Sequence, residues 1–219
     1  MHERWFWWAC GAADGAWNMA ADEMLLRQAA SRARPVLRVY RWSRPAVSFG
    51  YFQPYPSELA SQYELVRRPT GGGRVYHGSD TTYTVVAPPD HWLHRARASE
   101  AYCAIHRAVA RALGQPVTLL NHPPTSPGGA YDCFQRPVTG DVMAQDRKVA
   151  GGAQRRSRWG LLHQGSIAVA IEPQRLAEAF AQVFGIEWEL FVPQAEELTL
   201  IEQLARDKYA RAQWNQRIR

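Results

Sequence analysis

In the run Arg67-Arg68-Pro69-Thr70-Gly71-Gly72-Gly73-Arg74-Val75-Tyr76-His77, the three glycines lie between two stretches of strand character, Leu65 to Arg68 and Thr82 to Val86. Three consecutive glycines tolerate positive φ and present backbone N–H groups with no side chain in the way. That suits close approach to a phosphate, a carbonyl or an acyl chain. Arginines on both sides offer to hold an anion. Taken alone, the run also reads as a flexible hairpin tip with solvated arginines. It is not a P-loop, because the Gly-Lys-Ser/Thr ending is missing, and it does not fit GxGxxG.

Working outward, Thr82, Thr84 and Val86 alternate with Tyr83 and Val85, which gives that strand two distinct faces. Upstream, Val36 to Trp42 and Ala46 to Phe52 flank Ser43-Arg44-Pro45 and predict a hairpin. Asp14 is a candidate cap for a helix from about Ala16 to Arg32, in which Trp17, Ala21, Met24, Leu25 and Gln28 recur at helical spacing. Downstream, Ser99 to Leu113 predicts a second helix stopped by Gly114. Asn121 to Gly129, rich in Pro and Gly, predicts a loop of the kind that often borders a site. Asp141 to Ala144, Lys148 to Gln154 and Gly165 to Ile171 read as a β-meander. Helices over about Pro173 to Phe184 and Thr199 to Trp214 close the chain. The pattern is α/β: a mixed, largely antiparallel sheet flanked by helices rather than a regular βαβ repeat.

With 219 residues, 46% of them hydrophobic and 21% charged, the chain has the composition of a globular protein and can bury a substantial core in one domain. No apolar run approaches the roughly 18 residues of a membrane span. The apolar start is too short for a signal peptide and is soon followed by Asp14, Asp22 and Glu23, so a cytoplasmic location is expected. The formal charge is +6, carried by 24 arginines and only two lysines, Lys148 and Lys208. The arginines are scattered, with one local cluster at Arg147, Arg155, Arg156 and Arg158. Such a field suits an acidic protein partner or an anionic cofactor, and nucleic acid is not expected. Lys208, beside Asp207, reads as an exposed helix residue.

Three widely spaced cysteines, Cys10, Cys103 and Cys133, form neither a disulfide framework nor a CxxC half-site. Cys103 fits a helix interior as a small core residue. Cys133, directly after the Pro/Gly loop, is the better placed for reaction, given a cation or imidazole nearby; His77, Lys148 and His163 are the candidates. Lys148 stands in Asp146-Arg147-Lys148-Val149-Ala150-Gly151-Gly152-Ala153-Gln154, where small neighbours allow an ammonium to reach into a groove and polarise a carbonyl. In a chain so rich in arginine, a retained lysine points to a need for a compact charge. His91-Trp92-Leu93-His94 has HxxH spacing but no further ligand, so it reads as surface or packing and no metal site is expected.

Together these segments resemble the lipoate-protein ligase A and octanoyltransferase family, which is related to the biotin-protein ligases. The resemblance runs from Trp17-Asn18-Met19-Ala20-Ala21-Asp22-Glu23 through Ser48-Phe49-Gly50 and the glycine run to Lys148-Val149-Ala150-Gly151-Gly152 and His163-Gln164-Gly165-Ser166. It implies an acyl groove lined by Arg68, Thr70, Gly71, Gly72, Gly73, His77, Gly151, Ala153, His163 and Gly165. It also implies catalysis by Cys133 and Lys148, because one octanoyltransferase type that looks like ligases carries a nucleophilic cysteine, followed by phenylalanine, just before the lysine motif. Cys133-Phe134 matches that position, and His77 is the group that would assist proton transfer.

The implied donor is octanoyl-acyl carrier protein. The implied acceptors are lipoyl domains of 2-oxoacid dehydrogenase complexes or glycine cleavage H protein. This transferase route needs no cofactor. The alternatives are an ATP- and Mg-dependent lipoate ligase catalytic subunit without its accessory C-terminal domain, and an amidotransferase between lipoyl domains. One departure stands out: His77-Gly78 replaces the family's usual His-Asp and removes a carboxylate.

Overall fold

Asp14 caps the first helix, its carboxylate accepting the Trp17 N–H at 2.8 Å. In the computed structural model, which describes residues 2–122 and 132–217, that helix is α1 (Gly15–Arg27). It follows β1 (Glu3–Ala13), and a break at Gln28 separates it from the short α2 (Ala29–Arg32). Then come β2 (Val36–Trp42), β3 (Ala46–Phe49), β4 (Glu64–Arg67), β5 (Val75–His77) and β6 (Thr81–Ala87). After them run α3 (Trp92–Arg95), α4 (Ala98–Leu113), β7 (Thr118–Leu119), β8 (Val142–Ala144), β9 (Arg147–Ser157) and β10 (Gly160–Ile167). The chain ends with α5 (Pro173–Phe184), β11 (Ile186–Leu190), α6 (Ala195–Leu204) and α7 (Ala212–Asn215).

Eight strands make one sheet in the order β11-β1-β2-β6-β10-β9-β8-β7, and β4-β3-β5 make a second. In the large sheet, β1 runs parallel to both β11 and β2, and the other neighbours are antiparallel. The mixed, largely antiparallel sheet is therefore present, and the meander is β8-β9-β10. The alternation read in Thr82 to Val86 sets the two faces. Tyr83 and Val85 join Ile105, Val109 and Phe180 from α4 and α5, while Val86 joins Met24, Leu25 and Ile201 from α1 and α6. Each such fully buried side chain contributes about 1.5–3 kcal/mol.

The expected hairpin of Val36–Trp42 with Ala46–Phe52 does not form. β2 is paired on both edges, by β1 and β6, so no edge is open to β3, which joins β4 and β5 instead. Residues 3–13 form a strand that the sequence reading did not assign: four consecutive aromatic residues, Trp5 to Trp8, hide the alternation, and pairing on both sides decides the matter. Thr199 to Trp214 is not one helix either, because α6 opens into a π turn over Ala205–Tyr209 before α7. The helix expected from Ser99 starts at Ala98, with Glu100 accepting the Arg97 N–H at 3.2 Å, and stops at Gly114 as expected. Most of the Pro/Gly loop, residues 123–129, falls outside the described residues. Among the described residues no helix is long and apolar enough to cross a membrane.

Candidate active site

The glycine loop is held from inside by the arginine that precedes it. Arg68 is buried; its Nη1 donates to Ser48 O and Ser48 Oγ (both 2.8 Å) and its Nη2 to Gly71 O (3.0 Å) and Gly73 O (2.8 Å). Gly72 adopts φ +86, a region that an L side chain rarely enters, so the loop can curl around the guanidinium. Arg67, also buried, donates to the carbonyls of Tyr51, Gln53 and Asn215 at 2.6–2.9 Å. The solvated hairpin tip is thus excluded, and Arg67 is spent on backbone rather than on an anion. Burial pushes the Arg68 guanidinium below its ordinary pKa, with Cys133 and Tyr40 opposing. Thr70 does not face the groove. It is buried and donates to Gln164 Oε1 (2.7 Å), while Gln164 Nε2 donates to Asp22 (2.7 Å), the buried partner of Arg38 (2.7 Å). That chain ties the loop to α1.

Below the loop lies a narrow, mostly apolar cleft. Of the residues singled out from sequence, Arg68, His77, Cys133, Gly151, Ala153 and Gly165 line it, and Met19, Tyr40, Trp42 and Val75 give it apolar walls. Gly71 and Gly72 face a neighbouring surface groove instead.

Cys133 opens a 3₁₀ turn (Cys133–Gln135) that is docked on the exit of the glycine loop: its N–H donates to Arg74 O at 2.8 Å. Lys148, on β9, reaches it. The Lys148 Nζ donates to Cys133 O (3.0 Å) and Cys133 Sγ (3.3 Å) and pairs with Asp141 Oδ2 at 2.8 Å. The lysine side chain is 2% exposed and that of Asp141 0%, so the pair is held in place and poorly screened. Space for the ammonium comes from Gly151, where a Cβ would lie 2.2 Å from Lys148 Cε. Asp141 also accepts from Tyr102 Oη (2.6 Å) and the Val138 N–H (2.7 Å). Asp141 and Tyr102 went unnoticed in the sequence because nothing in their spacing marks them; they become neighbours of Lys148 only through β8, β9 and α4.

His77 lies across the cleft, with Nδ1 2.7 Å from Asp80 Oδ2 and Nε2 2.6 Å from Ser48 Oγ. The carboxylate that Gly78 removes is thus replaced from two residues further on. Burial raises the Asp80 carboxyl, but hydrogen bonding and charge from His77, with hydrogen bonds from Ser166 and Gly78, outweigh it and hold the group below its ordinary range. Burial likewise lowers His77, which Asp80 opposes without reversing.

His163 is not brought to the cleft. It is fully buried, with Nε2 3.2 Å from Tyr83 Oη and its ring edge-on to His106. The HxxH pair packs as expected: His91 Nδ1 caps Leu93 and His94 Nδ1 bonds Pro89 O. Among the described residues no three His, Cys, Asp or Glu side chains are grouped as metal ligands. Cys103 is half-buried against Gly140 rather than a core residue.

Residues 14–189 match the family model of the lipoyl protein ligase A/B catalytic domain. The octanoyltransferase LipM of Oceanobacillus iheyensis is 35% identical over 190 residues, covering 82% of this chain and 69% of that protein. The Bacillus subtilis octanoyltransferase LipM is 34% identical over 194 residues, covering 81% and 70%. Among solved structures, a putative lipoate protein ligase from T. acidophilum superposes with a TM-score of 0.78 at 23% identity over 100% of both chains. A bi-partite lipoate protein ligase from Thermoplasma acidophilum, described with its E2 lipoyl domain, gives 0.77 at 20% identity over 98% of this chain and 97% of that one. These structural likenesses establish the fold. The chain belongs to the lipoyl protein ligase A/B catalytic-domain family, and the relatives that match it over four-fifths of its length are octanoyltransferases.

Proposed function

We infer that the protein is an octanoyltransferase of protein lipoylation that carries the acyl group on Cys133. The observation that supports this reading is that Cys133, which lines an apolar cleft, has its Sγ 3.3 Å from the Lys148 ammonium behind it. In the first half-reaction the Cys133 thiolate attacks the carbonyl carbon of an octanoyl thioester. A C–S bond forms, and negative charge moves from sulfur to the carbonyl oxygen. The Lys148 N–H that pointed at the sulfur is within reach of that oxyanion. The donor's C–S bond then breaks, and its thiolate takes a proton from solvent. In the second half-reaction a lysine amine of the acceptor attacks the Cys133 thioester, leaving an amide and free Cys133. The thioester is already activated, so the route uses no ATP.

Acyl carrier protein as donor and a lipoyl domain as acceptor fit a chain of charge +6, because an acidic carrier is drawn to such a field. Incubation with octanoyl carrier protein, without ATP, should add one octanoyl mass to Cys133. Cys133→Ala should lose transfer by roughly 10³-fold or more. An unmodified Cys133, or a Cys133→Ala protein that stays active with lipoate and ATP, would replace this reading with the ligase one. Faster acylation from an octanoylated lipoyl domain than from carrier protein would make the enzyme an amidotransferase.

A further inference from the structure

The second half-reaction needs a base that the Cys133–Lys148 pair does not supply. A target lysine arrives as an ammonium, and an amine attacks only after losing a proton. The three N–H groups of Lys148 meet Asp141, Cys133 O and Cys133 Sγ, and an ammonium accepts nothing. The other titratable side chains among the described cleft residues are Tyr40, Arg68 and His77. Arg68 is a cation, and burial holds the Tyr40 phenol well above its ordinary pKa, with Asp22 adding to that. His77 is the neutral base.

Its surroundings fix how it acts. Asp80 accepts from Ser166 Oγ (2.8 Å), Thr82 Oγ1 (3.0 Å) and the Gly78 N–H (3.1 Å), so it is a carboxylate surrounded by donors, and the ring nitrogen facing it carries the proton. The lone pair is then on Nε2, and Ser48 donates its hydroxyl proton there. Ser48 Oγ accepts one bond from Arg68 and keeps a second lone pair. Trp42 lies flat on the imidazole, with ring centres 3.9 Å apart and planes at 15°, and is itself fixed by its Nε1–H on Thr82 Oγ1 (2.9 Å). The charged groups that face His77 are Asp80 and, from the glycine loop, Arg68, which is itself influenced by Cys133.

We propose that Ser48, His77 and Asp80 form the proton acceptor of the second half-reaction, taking one proton from the target lysine through the Ser48 hydroxyl. This rests on, and deepens, the acyl-cysteine reading above. The target ammonium gives a proton to Ser48 Oγ as the serine's own proton passes to His77 Nε2. The free amine attacks the Cys133 thioester carbonyl; C–N forms, C–S breaks, and the second amine proton goes to the departing sulfur. The imidazolium lies between the Asp80 carboxylate and the Trp42 ring face, both of which favour the charge, and then releases its proton to solvent. Ser48 meets the substrate amine, His77 acts through it, and Asp80 positions the ring.

The test measures the two half-reactions separately from pH 6 to 10: octanoyl mass appearing on Cys133, and transfer from isolated acyl-enzyme to a lipoyl domain. In Ser48→Ala and His77→Gln, transfer at pH 7 should slow by about 100-fold. The ratio of transfer rate to acylation rate should fall at least about tenfold, since only the second step uses the base. The deficit should shrink as pH nears about 10.4, where the target lysine loses its proton unaided. Asp80→Asn, which keeps the volume, should show the same pH-dependent deficit. Equal slowing of both steps, a deficit that does not change with pH, or an octanoyl group on Ser48 in the wild-type protein would overturn the proposal. If wild-type protein carries no octanoyl group on Cys133, the cysteine route falls. The pH-dependent deficit of Ser48→Ala in direct donor-to-domain transfer would then still decide the relay.

Discussion

Lys148 and Lys208, the chain's two lysines, each meet a buried carboxylate: Lys148 Nζ lies 2.8 Å from Asp141 and Lys208 Nζ 2.5 Å from Glu23. What differs is the third partner. Beside Lys148 is a thiol, with an apolar cleft beyond it. Beside Lys208 are aromatic rings, Trp214 at 4.1 Å and Tyr209, whose hydroxyl also donates to Glu23. The first side chain is 2% exposed and its ammonium reaches the cleft through sulfur; the second side chain is 25% exposed and fastens the π turn to α1. Sequence made Lys208 an exposed helix residue, and the fold makes it a half-buried clamp. A buried lysine–carboxylate pair is therefore no functional signal by itself; the group on the far side of the ammonium decides.

Lys148→Met separates the two pairs most strongly. It removes the donor to sulfur and oxyanion, so transfer should fall by about 10²–10³-fold, the usual loss for one preorganised donor. It also leaves the buried Asp141 carboxylate without its counter-ion, with only the Tyr102 hydroxyl and the Val138 N–H donating to it, which should cost about 3–5 kcal/mol in urea unfolding. Retained turnover would make this pair as purely structural as the other. Lys148→Arg keeps the charge and tests shape alone. With Gly151 already giving up its side chain to the ammonium, a planar fork has no room, and overpacking costs about 1–3 kcal/mol. A drop in transfer of roughly 10-fold, with acylation of Cys133 slowed in parallel, is expected. Wild-type rates would show that charge suffices.

The residues that were legible in sequence are those with local signals. Asp14 caps its own helix, the alternation in Thr82 to Val86 sorts the two cores, and Arg68, His77 and Cys133 arrive together in the cleft. The partners of those residues were not legible. Asp141 reaches Lys148 across a strand pair, and Gln164 reaches Thr70 from 94 residues away. Both contacts are set by how strands and the glycine loop pack together in three dimensions, which no one-dimensional spacing encodes. Thr70 and His163 lie in segments that also supply cleft residues, but their side chains are engaged elsewhere: Thr70, in the loop after β4, bonds Gln164, and His163, on β10, sits against Tyr83. The false hairpin failed because pairing capacity is a property of the whole sheet, and β2 had none to spare.

Acid should distinguish the two regions next. Under the Lys148 side lie His106 and His163, both fully buried. Burial drives His106 down to about 4 against the carbonyl of Gly140 and the charge of Asp141, and drives His163 well below its ordinary value. Both are neutral in the folded protein, whereas in the unfolded chain each takes up a proton below about 6.5. Stability should therefore be complete above that pH and fall as pH drops toward 4. From pH 7 to 5 His106 alone should account for on the order of 2 kcal/mol in urea titrations. Glu23 and Asp80, held low by their partners, lose their contribution only at lower pH, outside this window. His106→Gln should flatten the slope, and a slope unchanged by that substitution would remove His106 from the account.

The smallest effect is expected at the clamp. Lys208→Met takes one partner from Glu23 but leaves Arg27 Nη2 at 2.6 Å and the Tyr209 hydroxyl, so this carboxylate keeps a counter-ion, which Asp141 would not. Methionine can also keep contact with the Trp214 ring, where sulfur replaces the ammonium. The cost should be about 1–2 kcal/mol, near that of one charge-assisted hydrogen bond. Octanoyl transfer measured below the melting range should stay within about twofold of wild type, because a clamp of this kind touches no reacting atom. A loss of transfer on the Lys148→Met scale, in protein shown to be folded, would mean that the C-terminal segment shapes the cleft. The link would be Arg67, whose guanidinium joins Asn215 O to Tyr51 O at the base of the glycine loop.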